Sequence, residues 1–411
     1  MAGELAVWLN GVRIAVIERR LRMAYTDDAL ERNQLGVPLL CLSLPLRDEP
    51  YPQGVVRAFL DGLLPEGAAR RTVARDFGVR ENDTFGLIQA LGRDSAGALV
   101  IQPIDEPAPT QPTTRTAERL SDDEIAELVA NLPNSPLGAG GRVRISLAGV
   151  QEKLLLTRMP DGAWGRPVDN TPSTHILKPE IAAFPNAVEN EAFCMRVAQH
   201  VGLDVAPVET TDVLRRKLIV VERYDRVVHD DGSVERLHQE DFCQAAGVPP
   251  DRKYEEDGGP SLRRIAGILQ AVDNRDSVET LVRAVTLNVL IGNGDAHAKN
   301  YSLLHERSGA LRLAPLYDLM STLLYGDDTL AMYVDDVRRT NRVTALCLIN
   351  EATRWGLTRR RAAEIIEDVL DRTPSAVAAA SDEIDGVPSE LSKLVNSQLA
   401  QVRSQFIVAT A

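Results

Sequence analysis

The residues best suited to chemistry lie in one run, LNVLIGNGDAHAKNYSLL, from Leu287 to Leu304. The run breaks at Gly292 and then presents an acid, Asp295, and an amide, Asn300, with four residues between them. A loop of this length can offer a carboxylate to a hydroxyl proton and an amide oxygen to a nearby cation. The catalytic loop of protein kinases, H-R-D-x-x-x-x-N, has the same spacing. The run therefore indicates phosphoryl transfer, with Asp295 as general base and Asn300 as a magnesium ligand.

The motif alone leaves a second interpretation open. Gly292 could end a helix, and Asp295 could cap the turn that follows. On the catalytic interpretation, Lys299 lies between the two functional residues. Its charge could stabilise the transferred phosphoryl group.

A second acid follows downstream. In kinases a metal-binding Asp comes after the catalytic Asn, in the DFG segment. Asp318 follows the apolar residues of LAPLYDLMST, and YSLLHERSGALRLAPL leaves room for a hairpin before it. The DFG tripeptide itself is absent, and a helix-capping Asp318 is the alternative.

Three upstream segments supply the remaining kinase parts. Lys178 ends the strand-like run in STHILKPE, and Glu191 of the next helix is favoured over Glu189 as its partner. SLAGVQEK, residues 146–153, could fold over phosphates with its backbone N–H groups. VVERYDR, residues 220–226, could be the hinge that meets adenine. Each has an ordinary alternative, such as a hairpin turn or a solvated strand end, but their order along the chain matches a kinase throughout.

Secondary-structure patterns divide the chain into parts that would position these residues. We expect an α+β, bilobal, protein-kinase-like fold. Its parts are an N-terminal α+β subdomain (1–102), a solvated Pro-rich linker (103–120), a β-rich nucleotide-binding lobe (121–237) and a mainly helical lobe (238–411). In the first part, Asn10-Gly11 predicts a hairpin turn and VPLLCLSLPL (37–46) predicts a strand.

Composition limits the class of protein. The 411 residues carry a net charge of −13, which argues against this chain alone wrapping nucleic acid. No stretch approaches the ~18 apolar residues that span a bilayer, and the N-terminus lacks the pattern of a signal peptide. The four cysteines are scattered, without CxxC spacing, and predict buried thiols. Together these features favour the cytoplasm, with no membrane association.

Seven motifs in order resemble the HipA family of serine/threonine-protein kinases, the toxins of HipA–HipB toxin–antitoxin modules. They are SLAGVQEK, THILKP, VVERYDR, HQEDFCQAAG, KYE, GNGDAHAKNYSLL and LYDLMST. The N-terminal segments LLPEGAARR and FGLIQALGRDSAGAL also resemble that family's N-terminal subdomain. The resemblance covers nearly the whole chain, and it implies a kinase that uses ATP and Mg²⁺.

The resemblance also implies a role for individual residues. Asp295 is the expected catalytic base, Asn300 and Asp318 are the magnesium ligands, and Ser146 is the autophosphorylation site. The residues expected at the nucleotide are Ala148, Gly149, Val150, Gln151, Glu152, Lys153, Lys178, Glu222, Arg223, Tyr224, His297, Lys299, Asn300, Tyr317 and Asp318. Ala296 and Gly294 depart from residues common in the family, and neither departure removes a functional group.

The resemblance implies partners as well. They are a HipB-like helix-turn-helix antitoxin, DNA reached only through that antitoxin, and a protein substrate, for which an aminoacyl-tRNA synthetase is one candidate. Two other functions stay open at this point. One is a small-molecule kinase of the aminoglycoside or choline type, and the other is an antitoxin-binding scaffold with idle catalytic groups.

Overall fold

The computed structural model describes residues 3–110, 112–137, 147–149, 151–168, 171–272 and 275–410. The chain forms two compact units. Unit 1 contains Met1–Pro179 and Asp212–Asp251, and unit 2 contains Glu180–Thr211 and Arg252–Ala411. The four-part division predicted from the sequence is finer than this one and stays a prediction.

An antiparallel sheet forms the N-terminal part of unit 1, in the order β3-β2-β1-β4. The predicted hairpin turn is confirmed, because Asn10 and Gly11 both have positive φ angles, 49° and 79°, between the paired residues Leu9 and Val12. Such φ angles at both turn residues suit the twist of a two-residue hairpin. The elements are β1 (Glu4–Leu9), β2 (Val12–Glu18), β3 (Met23–Tyr25), α1 (Asp27–Arg32), α2 (Gln53–Gly62), α3 (Gly67–Asp76), α4 (Thr84–Leu91) and β4 (Leu99–Pro103).

The strand predicted over residues 37–46 is wrong. The segment is irregular, although its apolar side chains Leu40, Leu44 and Leu46 are buried in the core of unit 1. Its backbone N–H groups make hydrogen bonds outside any strand ladder. Leu46 N donates to Val37 O at 2.8 Å, and Leu42 N donates to the Glu240 carboxylate at 3.0 Å. Prolines at 38 and 45 supply no N–H for a strand ladder.

The second sheet of unit 1 carries the strands expected at the nucleotide. Its order includes β5-β7-β6-β8-β10, with antiparallel neighbours. Helix α5 begins with a capping box of Ser121 and Glu124 and packs on this sheet. The elements from here to the end of unit 1 are β5 (Glu118–Arg119), α5 (Asp122–Ala130), β6 (Leu154–Arg158), β7 (Trp164–Arg166), β8 (His175–Pro179), α6 (Ala187–Val201, in unit 2), β9 (Val208–Val213), β10 (Arg216–Glu222), β11 (Arg226–Val228), β12 (Val234–Arg236), β13 (His238–Asp241) and α7 (Phe242–Ala245).

Part of the predicted linker is packed against unit 1. Thr114 is fully buried, and its backbone N–H donates to Gly232 O at 2.9 Å. Strand β5 then pairs with β7. Residues 113–120 are therefore fixed, and the expectation of a fully solvated linker is wrong for them.

Unit 2 is mainly helical, as predicted, but it also contains two hairpins. The hairpin of β14 and β15 matches the sequence expectation, while β16 and β17 fall where only helix was predicted. Their turn, Asp335-Asp336, has positive φ at both residues. The elements are α8 (Leu262–Val272), α9 (Arg275–Ile291), β14 (Ser302–His305), β15 (Leu311–Leu313), β16 (Thr329–Val334), β17 (Val337–Arg339), α10 (Ala345–Arg354), α11 (Arg359–Glu383) and α12 (Ser389–Thr410).

Over the described ranges, none of the helices combines the length and the apolar composition that a membrane crossing requires. The four cysteines are free thiols; three are buried and Cys347 is half-buried.

A buried cluster of charges ties together separate segments of unit 1. The Asp94 carboxylate accepts from Arg226 at 2.9 Å and from the Ser173 N–H at 2.8 Å, and Arg223 pairs with Asp225 at 2.9 Å. All of these side chains except that of Ser173 are ionised, and all are at least 95% buried. Breaking one member of such a network leaves the others buried and unpaired, which costs far more than losing a surface pair.

The same cluster makes stability depend on pH. Burial alone would raise the pKa of Asp94, but the arginines led by Arg226 lower it to about 2. Because the folded pKa lies below the unfolded value of about 3.9, the contribution is complete above that unfolded value. It is lost as pH falls toward about 2.

We predict that Asp94→Asn lowers the free energy of unfolding of unit 1 by about 3 kcal/mol at pH 7, as expected for a broken buried pair. The difference from wild type should shrink as pH falls through 4 toward 2. Urea unfolding at pH 7 and at a pH below 4 measures this difference. The matched control is Asp105→Asn, because Asp105 is exposed. A variant as stable as the control at pH 7 would contradict the role of the cluster.

Candidate active site

The turn after α9 is shaped by a glycine that no other residue could replace without strain. Gly292 has a φ of +68°, and its carbonyl accepts from the N–H groups of Thr322 and Leu323, both at 3.0 Å. A Cβ on Gly292 would lie 2.6 Å from the Leu323 Cβ. The catalytic-loop candidate and the segment after Asp318 are therefore packed backbone to backbone.

Gly294, which departs from the family pattern, meets an even closer neighbour. A Cβ there would lie 2.3 Å from the Thr329 carbonyl oxygen. The Gly294 N–H donates to Thr322 Oγ1 at 2.9 Å, and its carbonyl accepts from Ala331 at 2.7 Å. In this chain, then, the glycine is required by the strand β16 that crosses beside it.

The proposed base, Asp295, lies on the surface of this loop. Its Oδ1 accepts a hydrogen bond from the Tyr254 hydroxyl at 2.9 Å. A carboxylate has a second oxygen, which leaves one acceptor for a substrate hydroxyl. Although the side chain is exposed to solvent, the surrounding atoms partly desolvate it.

That desolvation raises the pKa of Asp295 above its ordinary value. The negative charges of Asp318 and Asp327 act in the same direction, while the Tyr254 hydrogen bond and the Lys253 charge lower it. A raised pKa moves a carboxylate toward the range in which it can take a proton in the transition state.

His297 is buried behind the base and is neutral. The ring of His297 packs edge-on against Tyr254, with centroids 5.3 Å apart. The backbone N–H of His297 donates to the Asp295 carbonyl at 2.7 Å. Burial, reinforced by Lys253, lowers the pKa of His297 to about 3. Within the described residues its Nδ1 atom is buried without a hydrogen-bond partner, so a nucleotide atom could satisfy it.

Asn300 and Asp318 meet although they are far apart in sequence. The Asn300 Nδ2 donates to Asp318 Oδ2 at 3.2 Å, with Asn300 buried and Asp318 exposed. An amide and a carboxylate are the oxygen ligands that magnesium takes, and the ion usually completes its shell with water and phosphate. The described residues contain no group of three or more His, Cys, Asp or Glu side chains that could hold a metal. Asn300 and Asp318 together offer an amide oxygen and a carboxylate, the two kinds of donor that a magnesium ion could use.

Tyr317 fixes the chain just before Asp318. Its hydroxyl donates to the Lys299 carbonyl at 2.7 Å and also lies 2.7 Å from Ser302 Oγ. The Lys299 side chain itself is buried. The two metal-binding candidates thus lie on segments that are joined to each other by hydrogen bonds of Tyr317.

The predicted phosphate loop lies in unit 1 and is partly described. Gly149 has a φ of +121°, and Lys153 folds back so that its Nζ donates to Ala148 O at 2.7 Å. A Cβ at Gly149 would lie 2.5 Å from that Nζ. The proposed phosphorylation site Ser146 and the loop residue Val150 lie outside the described residues, while Gln151 and Glu152 follow as irregular chain.

Lys178 is buried in β8 opposite Ile219 of β10, and Glu191 is buried in α6. The two belong to different units. Their pairing therefore stays a prediction.

The predicted hinge contains one side chain, that of Arg223, that is fully engaged in hydrogen bonds within unit 1. Arg223 donates to Asp225 and Ser173, and its backbone N–H donates to Thr174 O at 2.9 Å. The Tyr224 hydroxyl bonds to Gln239. Any contact of Arg223 with adenine must therefore use its carbonyl, and Glu222 remains exposed.

Two functional residues were not assigned from the sequence. Tyr254 lies in the KYE motif, which was recognised without a role, and it touches the base directly. Asn190 lies between the glutamates that were considered as lysine partners, and it bonds to the segment after Asp318. The KYE motif was the sequence signal that could have identified Tyr254. For Asn190 the sequence contained no such signal beyond its place in an amphipathic helix.

The comparisons with known proteins agree with this geometry. The protein-family model of the HipA N-terminal domain matches residues 5–102, and the family model of the HipA-like C-terminal domain matches residues 145–377. A Sinorhizobium fredii protein named "Putative kinase Y4mE" is 42% identical over 91% of each chain. The Shewanella oneidensis protein named "Serine/threonine-protein kinase toxin HipA" is 32% identical over 86% of this chain and 82% of its own.

The fold agrees as well. A solved complex of Shewanella oneidensis MR-1 HipA, HipB and operator DNA contains a chain that matches 98% of this one, with a TM-score of 0.82 at 27% identity over 96% of its own length. The α+β kinase-like fold expected from the sequence is confirmed by that likeness. This chain therefore belongs to the HipA family of kinases.

Proposed function

We propose that this chain is a toxin-type protein kinase that transfers the γ-phosphoryl group of ATP to a serine or threonine hydroxyl of a protein. The observation that carries the proposal is the meeting of Asn300 with Asp318 beside the loop that presents Asp295. This supplies a general base and two magnesium ligands within one unit. The kinase names of the relatives support the reaction class.

Each group then has one task. Asp295 accepts the proton of the acceptor hydroxyl while Tyr254 holds its other oxygen. Asn300 and Asp318 would hold Mg²⁺, which when bound neutralises charge on the phosphates. Lys178 and the loop from Ala148 to Lys153 are the groups proposed to bind phosphates. His297 and Tyr317 line the nucleotide side of the catalytic loop.

The proposed partner is a HipB-like helix-turn-helix antitoxin. The solved relative forms a complex with HipB and operator DNA, and the net charge of −13 suits a chain that reaches DNA only through a basic partner. With that antitoxin it would act as a co-repressor. We propose the cytoplasm as its compartment and the four parts bounded at 102, 120 and 237 as its domains.

Asp295→Asn should reduce phosphoryl transfer by about 100- to 10,000-fold, because the base is lost while the shape is kept. Mass spectrometry of the phosphatase-treated chain after incubation with Mg-ATP measures the transfer. Binding of ATP should be unchanged. The control is Asp257→Asn, which removes an exposed acid from the same unit.

Two results would count against the assignment. If Asp295→Asn transfers phosphate at the wild-type rate, Asp295 is not the general base. A wild-type chain that binds ATP but gains no phosphate would instead favour a small-molecule kinase or a catalytically idle antitoxin-binding scaffold.

Ser146 should be the residue that gains the phosphate, and its modification should switch the kinase off. Phosphorylation adds nearly two negative charges beside the loop that would hold the ATP phosphates. Ser146→Ala should therefore eliminate the mass increase at that site, and the phosphorylated wild type should bind ATP more weakly in calorimetry. Equal ATP affinity of the two forms would refute the switch.

Tyr254→Phe should move the acid limb of the pH–rate profile to higher pH. The base works only when ionised, and the lost hydrogen bond stabilised that ionised form, so the pKa of Asp295 rises in the variant. Well above that pKa the rate should approach that of wild type. Tyr333→Phe is the matched control, because among the described residues the Tyr333 hydroxyl has no hydrogen-bond partner. An unshifted acid limb would show that Tyr254 does not act on the base.

A further inference from the structure

Asn190 makes an unusual contact from the first turn of a buried helix. It lies in α6 and is fully buried. Its Nδ2 donates to the Ser321 carbonyl at 3.0 Å, and its Oδ1 accepts from the Ser321 N–H at 2.9 Å. One side chain thus satisfies both backbone groups of a single residue, as a neighbouring strand would.

The residue that needs this support lies three positions earlier. Asp318 has a φ of +59°, in the left-handed region that is unfavourable for a residue other than glycine. Such a conformation persists only where the surroundings enforce it. Asp318 also has its side chain exposed, so burial does not hold it.

The chain is fixed on both sides of Asp318. On the N-terminal side, Leu316 N donates to Asp204 O at 2.8 Å and the Tyr317 hydroxyl donates to Lys299 O at 2.7 Å. On the C-terminal side, Asn190 binds Ser321. Between these points only a few residues can relax, and the left-handed turn at Asp318 falls among them.

We propose that Asn190 is a positioning residue for the proposed metal ligand Asp318. The inference deepens the proposed kinase function and rests on it. Asn190 touches neither metal nor nucleotide; it acts through Ser321 and the backbone of the turn.

The test uses two readouts that need no phosphoryl transfer. The first is hydrogen–deuterium exchange of the segment 316–325 in the metal-free chain, and the second is Mn²⁺ affinity in the presence of ADP, measured by electron paramagnetic resonance. Asn190→Leu keeps the volume but removes both bonds to Ser321, together with the 3.3 Å bond from Asn190 Nδ2 to the Tyr325 hydroxyl. It should speed exchange in that segment and weaken Mn²⁺ binding by about tenfold or more, as loss of a residue that orients a metal ligand does.

Two further variants separate positioning from packing. Asn190→Asp keeps the acceptor for the Ser321 N–H and should lie between wild type and Asn190→Leu in both readouts. Val197→Ala removes buried apolar volume from the same helix and should lower thermal stability while leaving exchange and Mn²⁺ affinity at their wild-type values.

The outcomes distinguish this inference from the proposed function. Wild-type exchange or wild-type Mn²⁺ affinity in Asn190→Leu overturns the positioning role. Equal changes in Val197→Ala overturn it too, because they would show a general effect of packing. If wild type binds no Mn²⁺ with ADP, the kinase site fails, and the exchange of segment 316–325 still decides whether Asn190 holds the turn.

Discussion

The left-handed backbone at Asp318 is the constraint on which the rest of the candidate site depends. At a φ of +59°, the chain reverses just where its carboxylate meets the Asn300 amide. A residue with an extended backbone at this position would point its side chain away from Asn300. The strain is stored locally, and the contacts of Tyr317 and Ser321 on either side maintain it.

The catalytic loop adds a second constraint of the same kind. Gly292 and Gly294 bring its backbone against the segment from Thr322 to Ala331, at distances that leave no room for a Cβ. The candidate base Asp295 is therefore packed in one piece with the segment that carries the candidate metal ligand. Catalysis by positioning needs this, because a base and a metal ligand displaced by about 1 Å lose much of their effect.

The sequence predicted the family and the fold class better than it predicted the contacts that hold the candidate site in place. The spacing of Asp295 and Asn300 is local, so a motif can show it, and the Asn10-Gly11 hairpin and the Ser121 capping box follow from equally local rules. The strand prediction for residues 37–46 failed because the Leu42 N–H bonds to the carboxylate of Glu240, almost 200 residues away in sequence, and not to a neighbouring strand. Asn190 could not be found either, since an amide in a buried helix acquires its meaning only when the turn at Ser321 is folded against it.

The central claim is that Asn300 and Asp318 form the magnesium site of an ATP-dependent kinase. A crystal structure with Mn²⁺ and a non-hydrolysable ATP analogue tests it directly, because manganese is located by its anomalous scattering. We expect one manganese peak within about 2.5 Å of oxygen atoms of both residues, with the rest of its shell from phosphate and water. A manganese peak on the nucleotide that touches neither residue would contradict the account.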